Sequence, residues 1–410
     1  MRIFKFLAVF AAVLGIVYTL IIGLNLSVFK TVFTNQEALA EGSEWVEKTY
    51  SLSGLVDFIQ AHPELVSVTL NDIESDTVRM FNHLNYGQEK TRTMGGLGHF
   101  ILLATYANEV INGRLSEDQM ISVTAIERFF VPNHEPNKHR ESIELLQSHS
   151  QSKSEFRLDD VVAVMVRRNH QPSADLVYSV VGKLAVQEFM DAHVHGDIDM
   201  PAVWSAFHLA IVASGQTSHL NGSADDYLKF YNEFERRLLL DSDSEAVIML
   251  KALDVNKSEY SFFEEKNAYK SLPKATPVSF ENFVHKMFTD ETLDIEFREI
   301  IKRHLTWSME NPKVARDFKS LYAMYDNRIS ISNGIAVGTS VYTGRTQIAS
   351  VFFDQLPVGF WMHMSSNLIN QDFQMRLMYD PAMFERTFNM LMLNESGEQQ
   401  SETLHGENQL

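Results

Sequence analysis

Cysteine is absent from the 410 residues. That excludes a thiolate nucleophile, a cysteine-ligated metal, a disulfide framework and a lipidated N-terminal cysteine. Positive charge is also scarce. Lys and Arg total 35 against 53 Asp and Glu, a formal net charge of -18, so a nucleic-acid backbone would be repelled and no nucleic-acid partner is expected. No internal repeat is visible. Gly95-Gly96-Leu97-Gly98 lacks the lysine and hydroxyl that a phosphate-cradling loop needs, which points to close backbone packing instead. Hydrophobic residues make up 45% of the chain, and its length allows a sizeable core.

The uncharged run from Phe6 to Leu26 follows a short basic lead, residues 1–5, with Arg2 and Lys5. Its length suits a single-pass transmembrane anchor over 6–26, and the flanking charge leaves the remainder outside the cytoplasm. The competing reading is a cleaved signal peptide ending at Ala38-Leu39-Ala40. Polar Asn25 and Ser27 set that site far from the apolar run, so a retained anchor is expected. Residues 27–50 read as a polar, acidic stalk, helical through 41–47. Residues 394–410 read as a disordered acidic tail.

Between these ends, apolar spacing predicts a helix over 52–61 and alternation predicts a strand over 66–70. A turn at 71–76 and a returning strand over 77–81 follow. The run 100–111 is a mostly apolar helix closed by Gly113-Arg114-Leu115-Ser116. Residues 158–190 form a second helical segment, and Ser223 is placed to cap a helix beginning at Ala224. The stretch 240–328 reads as an insertion of extra helices, including 293–307, rich in aromatics such as Tyr260, Phe262, Phe263, Phe280, Phe283 and Phe288. Strands are expected over 329–340, 346–353 and 358–364, the last two placing Phe352-Phe353 and Phe360-Trp361 in core strands. A C-terminal helix is expected over 373–393.

The surroundings of Thr93-Met94-Gly95-Gly96-Leu97-Gly98-His99-Phe100, with the helix and turn that follow, resemble the active-site helix of serine β-lactamases (class A-like) and penicillin-binding proteins. Asn169-His170-Gln171, between two helices, is similar to the place where that family carries S-D-N, and Ala336-Val337-Gly338 to its K-T-G strand. The resemblance implies an α+β, β-lactamase/transpeptidase-like fold over 51–393: an antiparallel sheet built from both chain ends, flanked by helices, with a helical lobe. It also implies acyl-transfer chemistry, which needs a serine beside a lysine, a hydroxyl relay and a lysine for the substrate carboxylate. At the matching positions stand Gly96 and His99, Asn169 and Gln171, Ala336 and Gly338. None supplies the required group, and the Glu-x-x-Leu-Asn loop that positions deacylating water is not found.

The expectation is therefore a pseudoenzyme without catalytic residues or cofactor, acting as a binding or scaffold module in the bacterial envelope, anchored in the inner membrane and facing the periplasm. Its candidate ligand cleft comprises His99, Asn169, His170, Gln171 and Thr339, and its expected partners are an envelope protein or a cell-wall or polysaccharide ligand. The 240–328 insertion is the expected partner surface. A rival reading is a hydrolase rewired around His99, whose imidazole titrates near neutral pH and can act as a general base; a third is a sensor that reports an occupied cleft through the anchor. No metal site is expected: His134 and His139, near Glu135, read as surface loop, and Ser148, Ser150, Ser152 and Ser154 as flexible loop.

Overall fold

The computed structural model describes residues 33–73, 83–132, 134–150, 152–217, 224–240 and 261–391. The lead, the anchor, the 77–81 strand, the Ser223 cap and the 394–410 tail lie outside them. No helix among the described residues is long and apolar enough to cross a membrane.

The helices in chain order are α1 Gln36–Ala40, α2 Ser43–Val46, α3 Leu52–Ala61, α4 His99–Ile111, α5 Val123–Glu127, α6 Pro136–His149, α7 Leu158–Arg168, α8 Gln171–Val181, α9 Lys183–His193, α10 Trp204–Thr217, α11 Ala224–Leu240, α12 Phe262–Tyr269, α13 Pro277–Thr289, α14 Ile295–Leu305, α15 Pro312–Asp317, α16 Val358–Ser366 and α17 Ile369–Tyr379. A further helix covers 381–391. The main sheet holds β1 Val66–Asp72, β2 Leu84–Tyr86, β3 Phe318–Arg328, β4 Ile331–Ser340 and β5 Thr346–Phe353, in the order β2-β1-β5-β4-β3. All pairings are antiparallel, with Val68 opposite Val351 and Ala336 opposite Ala349. Strands from both chain ends meet at β1–β5, as the resemblance implies.

The sheet separates two cores, because successive side chains of a strand face opposite ways. Met324, Ile335, Val337, Ile348 and Phe352 join the helical lobe, where Phe100, Phe280 and Phe283 are buried. Ala323, Ala336, Ala349, Val351 and Phe353 join α3, α16 and α17 on the other face. Local signals set the lobe's helices. Asp159 and Asp160 open α7 while Arg167 and Arg168 close it, complementing the helix dipole. The Thr276 hydroxyl accepts from the Ser279 N–H at the start of α13, with Pro277 in the first turn.

Four expectations are corrected. Residues 358–364 are helix, not strand: the run is apolar at almost every position, so its periodicity does not discriminate. The C-terminal helix is divided at Asp380-Pro381, since proline cannot continue a helix and Asp380 Oδ1 caps the next one by accepting from the Ala382 and Met383 N–H groups at 3.1 and 3.3 Å. The supposed stalk is docked from Asn35 onward: Asn35 Oδ1 accepts from the Phe262 N–H at 2.6 Å, and Glu41 holds Lys266 at 2.8 Å and the Val358 N–H at 2.9 Å. In the supposed insertion, Phe280 and Phe283 are core and 318–328 is strand β3, with Met324 buried on the lobe side. Burial of Phe280 and Phe283 accounts for these two aromatics.

Candidate functional site

Arg92–Thr93 pairs with Lys274–Ala275 and leads into a 3-10 turn, Gly95–Gly98, that runs straight into α4. Asn333 on β4 fixes this turn, donating through Nδ2 to the Thr93 carbonyl at 2.8 Å. Gly95 has φ +58, a conformation that glycine adopts freely. A Cβ on Gly96 would lie 2.4 Å from Asn169 Oδ1. The space beside Gly96 is filled.

What fills it is a buried polar network. Asn169 takes φ +50 at the end of α7, which turns its side chain over Gly96. Its Nδ2 donates to Asp326 Oδ1, and its Oδ1 accepts from Arg328 Nη2 at 3.0 Å. Asp326 Oδ2 accepts the Gly96 N–H at 2.6 Å, and Arg328 Nε lies 3.0 Å from Asp326 Oδ1. Asp326 is wholly buried and Arg328 is 4% exposed, so the pair must satisfy itself internally. Above it, the Arg328 guanidinium stacks 3.6 Å from the Trp204 ring centre. Trp204 is held in turn by Asp175, whose carboxylate accepts the Trp204 and Ser205 backbone N–H groups, each at 2.7 Å. Burial pushes Asp175 up to about 7 despite these donors.

His99 opens α4 beneath Trp204. The Trp204 Nε1–H donates to His99 Nε2 at 3.0 Å. Indole is a donor only, so Nε2 carries the lone pair and Nδ1 the proton, which goes to the Met165 backbone. Burial, then the Arg328 charge, hold His99 well below its ordinary value. Its one lone pair is thus engaged by the indole.

Four of the five residues of the expected cleft gather here: His99, Asn169, His170 and Gln171. Thr339 does not. It lies six residues along β4 from Asn333, about 20 Å at about 3.4 Å per residue, and bonds Ser320 and Thr346. Ala336 and Gly338 face the α17 side, Gly338 against Leu321 and Met378, so they do not share a face of the sheet with Gly96. Asp326 and Arg328 stand outside the expected cleft because 318–328 falls within the expected helical insertion. Their legible signal was spacing: two opposite charges two residues apart share one face of a strand.

The loop reading holds for His134, which stands in the turn before α6, and is corrected for His139. His139 is buried on α6, bonding His170 Nε2 through Nδ1 at 3.0 Å and Glu127 Oε1 through Nε2 at 3.1 Å. His170 Nδ1 lies 2.8 Å from Ser173 Oγ, completing a Glu127-His139-His170-Ser173 chain. Burial and His139 drive His170 down to about 3. Ser173 is 0% exposed, and the cavity beside the chain, between His139, Gln171 and Ser205, has about 10 Å³, room for one water. Next to it His134, His208 and Glu265 converge.

No family model matches the chain, and no curated protein does. Among solved structures the chain is similar to a β-lactamase from Chitinophaga pinensis, with 14% identity and a TM-score of 0.49 over 80% of this chain and 98% of that one. The chromosome-encoded β-lactamase of Vibrio parahaemolyticus is similar at 12% identity and a TM-score of 0.46, over 80% and 98%. The penicillin-binding protein PBP-A gives 10% and 0.41, over 78% and 95%.

Proposed function

We propose that this chain is a non-catalytic binding or scaffold module of the β-lactamase/penicillin-binding type, anchored by residues 6–26 in a bacterial inner membrane and working on its outer side. The observation that carries this reading is the Asn169-Asp326-Arg328 network standing where a nucleophile would have to project from Gly96. A reaction centre filled by a buried ion pair has neither a nucleophile nor room for a substrate. His99, capped by Trp204, gives no support to a site rewired around it. The anchor rests on the length and flanking charge of the N-terminal run.

A second reading has one specific observation in its favour, the hydroxyl of Ser173 beside His170. It makes the chain a hydrolase in which Glu127 and His139 orient His170, a relay of the triad type. Complete burial of Ser173 counts against it. A fluorescent fluorophosphonate and a fluorescent penicillin, applied to the purified full chain, separate the two. The module reading expects no covalent adduct; an adduct on any serine, Ser173 first, overturns it. Fractionation of cells with externally added protease tests the anchor: the chain should sediment with inner membrane and be digested only after the outer membrane is opened.

A further inference from the structure

We infer that His134, His208 and Glu265 form a binding site for one divalent transition-metal ion of the zinc type. Three separate elements supply the groups: the turn before α6, the middle of α10 and the middle of α12. One ligand atom from each lies within 4.8 Å of the others. Two imidazoles and a carboxylate are a donor set that zinc accepts and that harder oxygen-seeking cations do not favour. A tetrahedral ion with bonds of 2.0–2.1 Å holds its ligand atoms about 3.4 Å apart, so closure asks for side-chain movement of an ångström or so.

The surrounding bonds orient these groups as metal ligands are oriented. Gln171 Oε1 accepts from His208 Nε2 at 3.1 Å. The Tyr269 hydroxyl donates to Glu265 Oε1 at 2.5 Å. Gln171 also bonds His134; the two imidazole rings overlap, with centres 3.6 Å apart and planes at 34°, and must part for both to reach one ion. Partners of this kind fix ring orientation and tautomer around bound metals. The Arg328 guanidinium opposes a cation, but it is already paired with Asp326.

The test uses the full-length chain, stripped with EDTA and titrated with Zn²⁺, with the metal then counted by mass spectrometry. One tightly held equivalent and a rise in melting temperature are expected, with affinity at least tenfold weaker in both His208→Ala and Glu265→Gln. His83→Ala and His363→Ala serve as controls for the 15 histidines of the chain, and should bind like the parent. Co²⁺ in place of zinc should give the visible bands of a tetrahedral site, lost in Glu265→Gln. No tight equivalent in the parent, or parent-like binding by Glu265→Gln, overturns the assignment. Should His208→Ala fail to fold, near-isosteric Glu265→Gln carries the test. No part of the module reading uses these three residues, so the two proposals fail separately.

Discussion

A serine at position 96 would not rearm this protein. Its Cβ would meet the Asn169 amide 2.4 Å away, and over-packing of this kind costs about 1–3 kcal/mol. Gly96→Ser should therefore lower the melting temperature in a thermal scan and still take up no fluorescent penicillin. Arg328 tests the same network from the other side. Arg328→Met would leave Asp326 buried without its cation, at about 3–5 kcal/mol, and would remove the guanidinium stacked on Trp204. Chemical denaturation should register that loss. The double variant Arg328→Met/Asp326→Asn should recover part of it, because the uncompensated charge is gone; no recovery would mean that Asp326 is not the group being compensated. At this scale the sequence was half legible. The nearness of His99, Asn169, His170 and Gln171 is readable from motif surroundings, whereas Trp204, Asp326 and Arg328 come from distant segments whose meeting no local pattern encodes.

Among elements, the docking of the short helices α1 and α2 departs most from the expected stalk, although a helix through 41–47 is expected. They pack beside α16 because Gly359 has no side chain: a Cβ there would stand 2.2 Å from the Leu39 carbonyl oxygen. Gly359→Ala should push this segment off while leaving both cores in place. Limited proteolysis should then cut between residues 33 and 50 several times faster than in the parent, with the melting temperature changed little. An unchanged cutting rate would show that Gly359 does not set the docking. The elements were largely legible where periodicity was long, as in α4, α7, β4 and β5. They were misread where a run was apolar throughout, as in α16, or where strand β3 followed a series of helices.

For the whole molecule, buried carboxyls set a pH dependence. Glu281 on α13 accepts from Thr69 and Asn71 on β1, and burial raises it from 4.5 to about 7. The folded state then holds a proton that the unfolded state releases between those values. Stability must fall as pH rises from about 4.5 to 7 and level off above, by on the order of 3 kcal/mol for this group alone. His134 and His170, depressed by burial, act oppositely, since their contribution is lost as pH falls below 6.5. Comparing Glu281→Gln with the parent isolates the carboxyl: the difference in unfolding free energy should grow in favour of the variant from pH 5 to pH 7.5. A constant difference would mean that Glu281 does not titrate there.

The bond from Asn35 to the Phe262 amide bears on reach. Should the run ending at Leu26 cross a bilayer, only nine residues lead from it to that bond, a tether of about 30 Å at full stretch. A body moored so short cannot sample distant sites in the envelope, and whatever it meets must itself come to the bilayer surface.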